Sequence, residues 1–305
     1  MYNYLKHLSK IFLIDFLISI IGVLLRIALF TLIERKIIGI IHYRKGPNKV
    51  SLIGILQPFS DAIKLFTKQF LKPYKTIILF YLGPLLRIFL IFLCWRIYEY
   101  LWIINIIKIK IIIIISILTI MTYSFIFNRW GSNSSYSIIG GHRVISQIIS
   151  YEVCLMIILL RIFFFSKTYN ILILKIIQEN LWLINLSIPI FLIWVIIIIA
   201  ETNRTPFDLA EGESEIICGN FIEFRGGLFS FIFIIEYGII IFIRFITILY
   251  FIGLRFILFK IFILCILFSW IRCTIPRIRY DTLIIISWKI ILPYCIIILI
   301  YCIII

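Results

Sequence analysis

Between Glu201 and Glu223 the chain reads ETNRTPFDLAEGESEIICGNFIE. This stretch gathers six carboxylates (Glu201, Asp208, Glu211, Glu213, Glu215 and Glu223) of the 14 acidic residues in the whole sequence. Long apolar runs lie on either side. An ionised side chain in a bilayer or a dry interior costs several kcal/mol, so acids persist there mainly where a function needs them. Like charges this close in a low-dielectric site cannot all be ionised, which suits the stretch to storing and passing protons, holding an ion or meeting a polar ligand. Arg204, three residues after Glu201, is the local counter-ion. A solvated acidic loop is the plain alternative.

Within TPFDLAEGESE, Thr205 is placed to cap a new helix, with Pro206 in its first position and Asp208 in its third. That helix would put Glu211 and Glu215 on one face and turn Glu213 away. Glu152 in SYEVCL and Glu236 in IEYG fall inside or near apolar segments and extend the acidic set, unless each is a structural ion pair with Arg143, Arg161 or Arg244. The segment WIRCTIPRIRYD carries Arg272, Arg277, Arg279 and Asp281 around Pro276. These charges serve topology, or else meet the acidic stretch or polarise a carbonyl ligand. Residues 34–50, ERKIIGIIHYRKGPNKV, join Glu34 and Arg35 to a Gly46–Pro47–Asn48 turn.

The elements that must position these groups follow from composition. At 305 residues, 63% hydrophobic and 14% charged, with mean hydropathy +1.16, the chain is an all-α polytopic membrane protein. Unbroken Ile, Leu and Phe runs without alternation exclude an outer-membrane barrel. Eight spans are expected at about 11–33, 77–100, 102–127, 144–166, 181–201, 228–251, 255–274 and 283–304, in a single membrane domain covering 1–305. Residues 57–72 form an amphipathic interface helix, with Phe59, Ile63, Phe66 and Phe70 opposite Asp61, Lys64 and Lys68. The connections at 34–76, 128–143, 202–227 and 275–282 carry the polar motifs, and the first is rich in Lys and Arg. By the positive-inside rule these odd-numbered connections face the cytoplasm or matrix and both termini face the other side.

The net charge of +16 is spread over segment ends and loops and is no signal for nucleic acid; it suits anionic lipid such as cardiolipin. Seven single cysteines form no CxxC or Cys/His cluster, so no iron–sulfur or metal site is expected. The first apolar run is too long for a signal peptide. With no transit sequence before it, an organellar location implies synthesis inside the organelle, which fits the Ile-rich, AT-biased composition.

The strings LIERKIIG, YRKGPN, LQPFSDAIKLFTK, GSNSSYSIIGGHRVISQIISYE, AETNRTPFDLAEGESE and WIRCTIPRIRYD occur in this order. From about residue 24 to Pro293 the chain closely resembles the subunit 1 family of respiratory complex I, which has a mitochondrially encoded and a bacterial branch. The resemblance implies a core membrane subunit of a proton-translocating NADH:ubiquinone reductase in the mitochondrial inner membrane. A member of this family binds no flavin, iron–sulfur cluster or metal and has no independent activity. Ubiquinone is its substrate. Its partners are the peripheral-arm subunits of the quinone site and the small and antiporter-like membrane subunits. By matching motif, Glu34, Arg35, Arg44, Arg204, Asp208, Arg272, Arg277 and Arg279 belong to the quinone channel. Glu152, Glu201, Glu211, Glu213, Glu215 and Glu236 belong to a carboxylate relay that couples quinone reduction to protons.

The chain departs from the family pattern at Gln69, where a carboxylate is usual, at His42 and His142, and at Arg225. Arg26, Arg87, Arg96, Arg161 and Arg244 stand in or near spans where relatives are usually uncharged. They are expected to snorkel to lipid phosphate or to meet acids of partner subunits. Two rivals share parts of the pattern: the membrane subunit of a proton-translocating hydrogenase and an independent ion transporter. A scaffold that only anchors the peripheral arm is the third.

Overall fold

Runs of Ile, Leu and Phe with few breakers leave the backbone to satisfy its own hydrogen bonds, and helices result throughout. The computed structural model describes residues 2–69, 77–103, 110–132, 135–166, 171–180, 182–208, 224 and 226–304. In chain order the helices are α1 (Tyr2–Ile41), α2 (Gln57–Thr67), α3 (Ile77–Ile103), α4 (Lys110–Ser132), α5 (Ser135–Ser166), α6 (Ile171–Asn180), α7 (Leu183–Leu186), α8 (Ile188–Glu201), α9 (Gly227–Thr247), α10 (Ile257–Thr274), α11 (Tyr280–Ile285) and α12 (Leu292–Ile304). A π turn extends α9 through Ile252, and another joins α11 to α12. Seven of the described segments are long and apolar enough to cross a membrane: 14–41, 78–96, 112–132, 137–164, 227–252, 257–274 and 280–304.

The expected fifth span is different. Residues 181–201 do not form one helix: the one-turn α7 is followed by a break at Ser187, and α8 restarts with Pro189 in its first turn. Proline has no N–H to return to the preceding turn, so it suits a helix start and not a helix interior. At 14 residues α8 is about 21 Å long, short of the roughly 30 Å of a hydrocarbon core. Two connections shrink as well. The first helix runs to Ile41, so Glu34 and Arg35 are helical residues, and the third connection is mostly helix, α4 ending at Ser132 and α5 beginning at Ser135.

Helix α3 packs along α4, α4 along α5, and α5 holds both α8 and α12, while α9 lies against α1 and α3 and α1 against α10. The α3–α4 contact is close because small residues face it: a Cβ on Gly131 would sit 2.6 Å from the Phe80 backbone nitrogen. Beside it Phe80 stacks on Phe224 at 4.3 Å. Buried side chains of α1, α3, α4, α5, α8, α9 and α10 merge into one core around Trp194, Tyr151 and Phe251.

Helix α2 begins with Pro58 in its first turn, as expected, and ends at Thr67, five residues before the expected limit. It lies against α1 and α9, with Phe66 edge-on to Phe231 at 6.0 Å. Asp61 on α2 pairs with Arg35 of α1 at 2.5 Å and also accepts from Gln57 at 3.1 Å. Both partners of this pair are exposed, at 52% and 36% of the side chain, so solvent screens it. Asp61→Asn is therefore expected to change stability by no more than about 1 kcal/mol, read as a small displacement in thermal unfolding.

Candidate functional site

Consecutive residues on a helix point about 100° apart. On α1 this sends Arg35 outward to Asp61 and Glu34 inward, where it is buried. Glu34 Oε1 accepts from Arg272 Nη1 at 2.5 Å, which ties α1 to the last turn of α10. The second oxygen, Oε2, is buried with no hydrogen bond among the described residues. Three guanidinium charges act on this carboxylate, from Arg204, Arg272 and Arg244. Arg244 is itself buried on α9, between the rings of Phe30 (4.5 Å) and Phe268 (5.2 Å), and donates to Cys265 Sγ at 3.1 Å.

Arg204 stands in the turn after α8. The chain reverses there through Asn203 at φ 49, a left-handed conformation that asparagine tolerates better than most residues. Phe207 N–H donates to the Arg204 carbonyl at 2.8 Å. Arg204 lies over the Tyr237 ring at 4.7 Å and 3.9 Å from the Glu236 carboxylate. Gln147 of α5 braces the turn, its Nε2 donating to the carbonyls of Ala200 (3.0 Å) and Phe207 (3.1 Å). Ile278 N–H donates to the Pro206 carbonyl at 3.0 Å and the Thr205 hydroxyl to the Arg272 carbonyl at 3.3 Å, so the TPFD and PRIRY segments are knitted together.

This geometry corrects one expectation. Through Asp208 there is no helix for Thr205 to cap; residues 202–208 are turn and bend. The Thr205 hydroxyl is used as a donor to another element, whereas a cap would accept from an N–H further along its own chain.

From Glu236 the line of charge continues into the bundle through Arg87 of α3. This guanidinium is buried, lies 3.5 Å from the Phe125 ring centre, and is acted on by the charges of Glu236 and Glu201. Glu201 ends α8, and its Oε2 is buried without a hydrogen bond among the described residues. Glu152 of α5 shares a narrow gap with it, bounded by Ile115, Leu118, Leu155 and Met156. Glu152 Oε1 is buried in the same state. Six residues singled out from the sequence are thus brought together in the order Glu34, Arg272, Arg204, Glu236, Glu201, Glu152, with Arg87 set between Glu236 and Glu201.

Other expected site residues lie apart. Arg44 is exposed in the turn after α1, its N–H held by the Gly39 carbonyl at 2.8 Å. Arg279 is exposed and pairs with Asp281 at 3.4 Å. Arg277 is half-buried, with Nε and Nη2 shielded and no hydrogen-bond partner among the described residues. Asp208 is half-buried at the end of the described turn. Glu211, Glu213, Glu215 and Glu223 lie outside the described residues, as does Arg225.

Of the additional arginines, Arg87, Arg96 and Arg244 are buried and do not reach outward as expected, whereas Arg26 is exposed and Arg161 half-buried. Arg87 and Arg244 complete the internal charge line. Arg96 is buried and lies over Phe16 at 5.1 Å, Arg26 lies over Trp95 at 5.3 Å, and Arg161 donates to Cys302 Sγ at 3.3 Å. Aromatic faces and internal carboxylates compensate these charges within the chain. Sequence reasoning also missed Gln147, Tyr237 and Arg129. Arg129 is buried, 5.5 Å from the ring centre of Phe125. No local motif marks these three; only the helix packing reveals them. Among the described residues no three His, Cys, Asp or Glu side chains converge in a way that would hold a metal ion.

Fold and site together define a polytopic α-helical membrane protein that carries a set of buried and half-buried carboxylates and guanidiniums between its helices. The sequence pattern of the NADH dehydrogenase family matches residues 14–303, and the chain belongs to that family. It is 40% identical over 291 residues to NADH-ubiquinone oxidoreductase chain 1 of Aedes aegypti, covering 92% of this chain and 93% of that one. It is 44% identical over 288 residues to the protein of the same name from Rhipicephalus sanguineus (94% and 92%), and 40% identical over 295 residues to that of Monodelphis domestica (92% of each).

Proposed function

We propose that this chain is the membrane subunit of a proton-translocating NADH:ubiquinone oxidoreductase that lines the path of ubiquinone and begins the carboxylate relay from quinone to the pumping subunits. The observation that carries this reading is the line of buried and half-buried charges from Glu34 and Arg272 through Arg204, Glu236, Arg87 and Glu201 to Glu152. One end lies beside the 275–279 segment and the first helix, and the other reaches α5 in the middle of the bundle. Relatives at 40–44% identity bear the name NADH-ubiquinone oxidoreductase chain 1 and align over nearly the whole length.

In this reading Arg204, Arg272 and Arg277 present guanidinium N–H groups that can donate to a quinone carbonyl or to the charge developing on it as it is reduced. Glu34 holds Arg272 in place, and Arg35, Arg44, Asp208 and Arg279 belong to the polar surroundings of the entrance. Reduction changes the charge beside Arg204. Because Arg204 shares Glu236 with Arg87, and Arg87 shares Glu201 with Glu152, a change at one end alters the balance of charge at the next acid. Glu211, Glu213 and Glu215 extend the relay. Electrons arrive from a centre in a neighbouring subunit. The partners are the peripheral-arm subunits of the quinone site and the small and antiporter-like membrane subunits. The membrane is the mitochondrial inner membrane, with the odd-numbered connections 34–76, 128–143, 202–227 and 275–282 facing the matrix and both termini facing the intermembrane space, an arrangement in which α7 and α8 together complete the fifth crossing.

The test separates quinone chemistry from electron entry. Arg277→Ala in the assembled complex is expected to lower NADH-driven ubiquinone reduction about tenfold, the scale of losing one charge-assisted donor, while NADH oxidation by an artificial acceptor stays at the wild-type rate. Unchanged ubiquinone reduction would remove Arg277 from the path.

A further inference from the structure

Beyond the C-terminal end of α9 the chain turns between two apolar helices and leaves a cavity of about 790 Å³. Its walls come from three places: Gln178, Glu179 and Trp182 around the end of α6, the turn Ile252–Phe256 after α9, and Phe259, Lys260, Ile263 and Leu264 on α10. Residues 227–252 and 257–274 are both span-length apolar helices, so the turn joining them marks the edge of the hydrocarbon.

The lining divides by chemistry. Phe256 and Phe259 are 80% and 67% exposed and continue along α10 into Ile263. Two cations sit among them. Lys260 Nζ is held in a fixed position, donating to the carbonyls of Ile252 and Gly253 at 2.9 Å each and lying 5.0 Å from the Trp182 ring. Two of its three N–H donors are used. Arg255 is exposed nearby, and its charge acts on Lys260. Two like charges kept this close are better tolerated with an anion between them than without one. Glu179 shares the cavity but forms no ion pair within 4 Å among the described residues, so neither cation is neutralised directly by them. A tryptophan beside a cation at the hydrocarbon edge is the arrangement that suits the headgroup level of a bilayer.

We propose that this cavity is a binding site for an anionic phospholipid, its phosphodiester seated between Arg255 and Lys260 and its acyl chain laid along Phe256, Phe259 and Ile263. Charge complementarity selects the headgroup, and the apolar continuation along α10 selects a lipid over a free phosphate. A volume near 790 Å³ falls within the range of sites for single ligands and suffices for a headgroup with the first part of a chain. None of Glu34, Arg204, Glu236 and Arg272 lines the cavity, and the site does not depend on the quinone reading.

The experiment uses the whole detergent-purified complex with photoactivatable phosphatidylglycerol, and with photoactivatable phosphatidylcholine as the neutral-headgroup control. Phosphatidylglycerol is expected to label a peptide within residues 252–264, and phosphatidylcholine to label it several-fold less. Arg255→Gln changes an exposed residue and leaves the Lys260 bonds in place; it is expected to cut phosphatidylglycerol labelling about tenfold, the scale of one charge-assisted hydrogen bond. Added inorganic phosphate should not compete. Equal labelling by both lipids, labelling indifferent to Arg255→Gln, competition by inorganic phosphate, or no labelling because another subunit covers the turn would each overturn the proposal. Electron transfer to ubiquinone, measured on the same samples, reports separately on the proposed function.

Discussion

Glu34→Gln in the assembled enzyme is expected to lower NADH-driven ubiquinone reduction by at least about tenfold and to lower the unfolding temperature of the membrane subunit, with electron entry from NADH to an artificial acceptor unchanged. The shape of the side chain is retained and one hydrogen bond to Arg272 can still form. What is lost is the negative charge shared by Arg272, Arg204 and Arg244. Removing one member of a fully buried pair costs about 3–5 kcal/mol because the partner is left charged and uncompensated, and the partial exposure of Arg272 makes that an upper limit here. That is a large fraction of the roughly 5–15 kcal/mol that holds a typical domain folded. The consequence for function follows from position: with a neutral acceptor in place of Glu34, the 2.5 Å bond to Arg272 loses its charge assistance and the guanidiniums repel one another across the site. A double variant, Glu34→Gln with Arg272→Gln, should recover part of the lost stability, since it removes a charge from each side. Wild-type reduction rates and unfolding temperature in Glu34→Gln would show that this cluster is not part of the working site.

Arg204→Ala should have the second large effect. This guanidinium lies 3.9 Å from the Glu236 carboxylate, it covers the Tyr237 ring, and its charge also acts on Glu34. Its removal therefore separates the two halves of the network. Ubiquinone reduction and the protons pumped per electron pair are both expected to fall. Arg204→Lys should restore part of the reduction rate, because the charge returns, and less of the coupling, because an ammonium lacks the planar fork that reaches two partners at once. Normal values of both quantities in Arg204→Ala would mean that Glu236 is connected to the quinone end by another route.

Much of the fold follows from local chemistry. Seven of the eight expected apolar segments are helices, because an uninterrupted run of Ile and Leu leaves the backbone no other partner than itself, although the first helix runs eight residues past its expected end and α5 begins nine residues before its expected start. The amphipathic pattern from Gln57 and the proline beside it give α2. The exceptions have identifiable reasons. Pro189 sits inside the apolar run 181–201, where hydrophobicity says span but the missing N–H says helix start, and the proline decides. Thr205 has the right type and spacing for a cap, yet its hydroxyl finds the Arg272 carbonyl, 67 residues away, and no helix begins there by Asp208.

The site shows the same division. Residue types and spacing around Glu201, Arg204, Glu236 and Arg272 mark them as costly groups in an apolar chain, and motif resemblance assigns the two arginines to the quinone channel and the two glutamates to the relay. Their connections are not local: Glu34 meets Arg272 across 238 residues of sequence. Arg87 and Arg244 look from the sequence like charges bound for lipid, because each is surrounded by apolar neighbours along the chain. In the folded protein Arg87 faces Phe125 and the charges of Glu236 and Glu201, and Arg244 faces Phe30, Phe268 and Cys265.

Taken by itself, the sequence determined that this is a helical membrane protein, where seven of its spanning segments lie and which few residues are too costly to be incidental. Those properties depend on hydration and on nearest neighbours along the chain. Only the tertiary structure decided which acid faces which arginine, because charge compensation in a dry interior depends on distances of a few ångströms between helices that are remote in sequence.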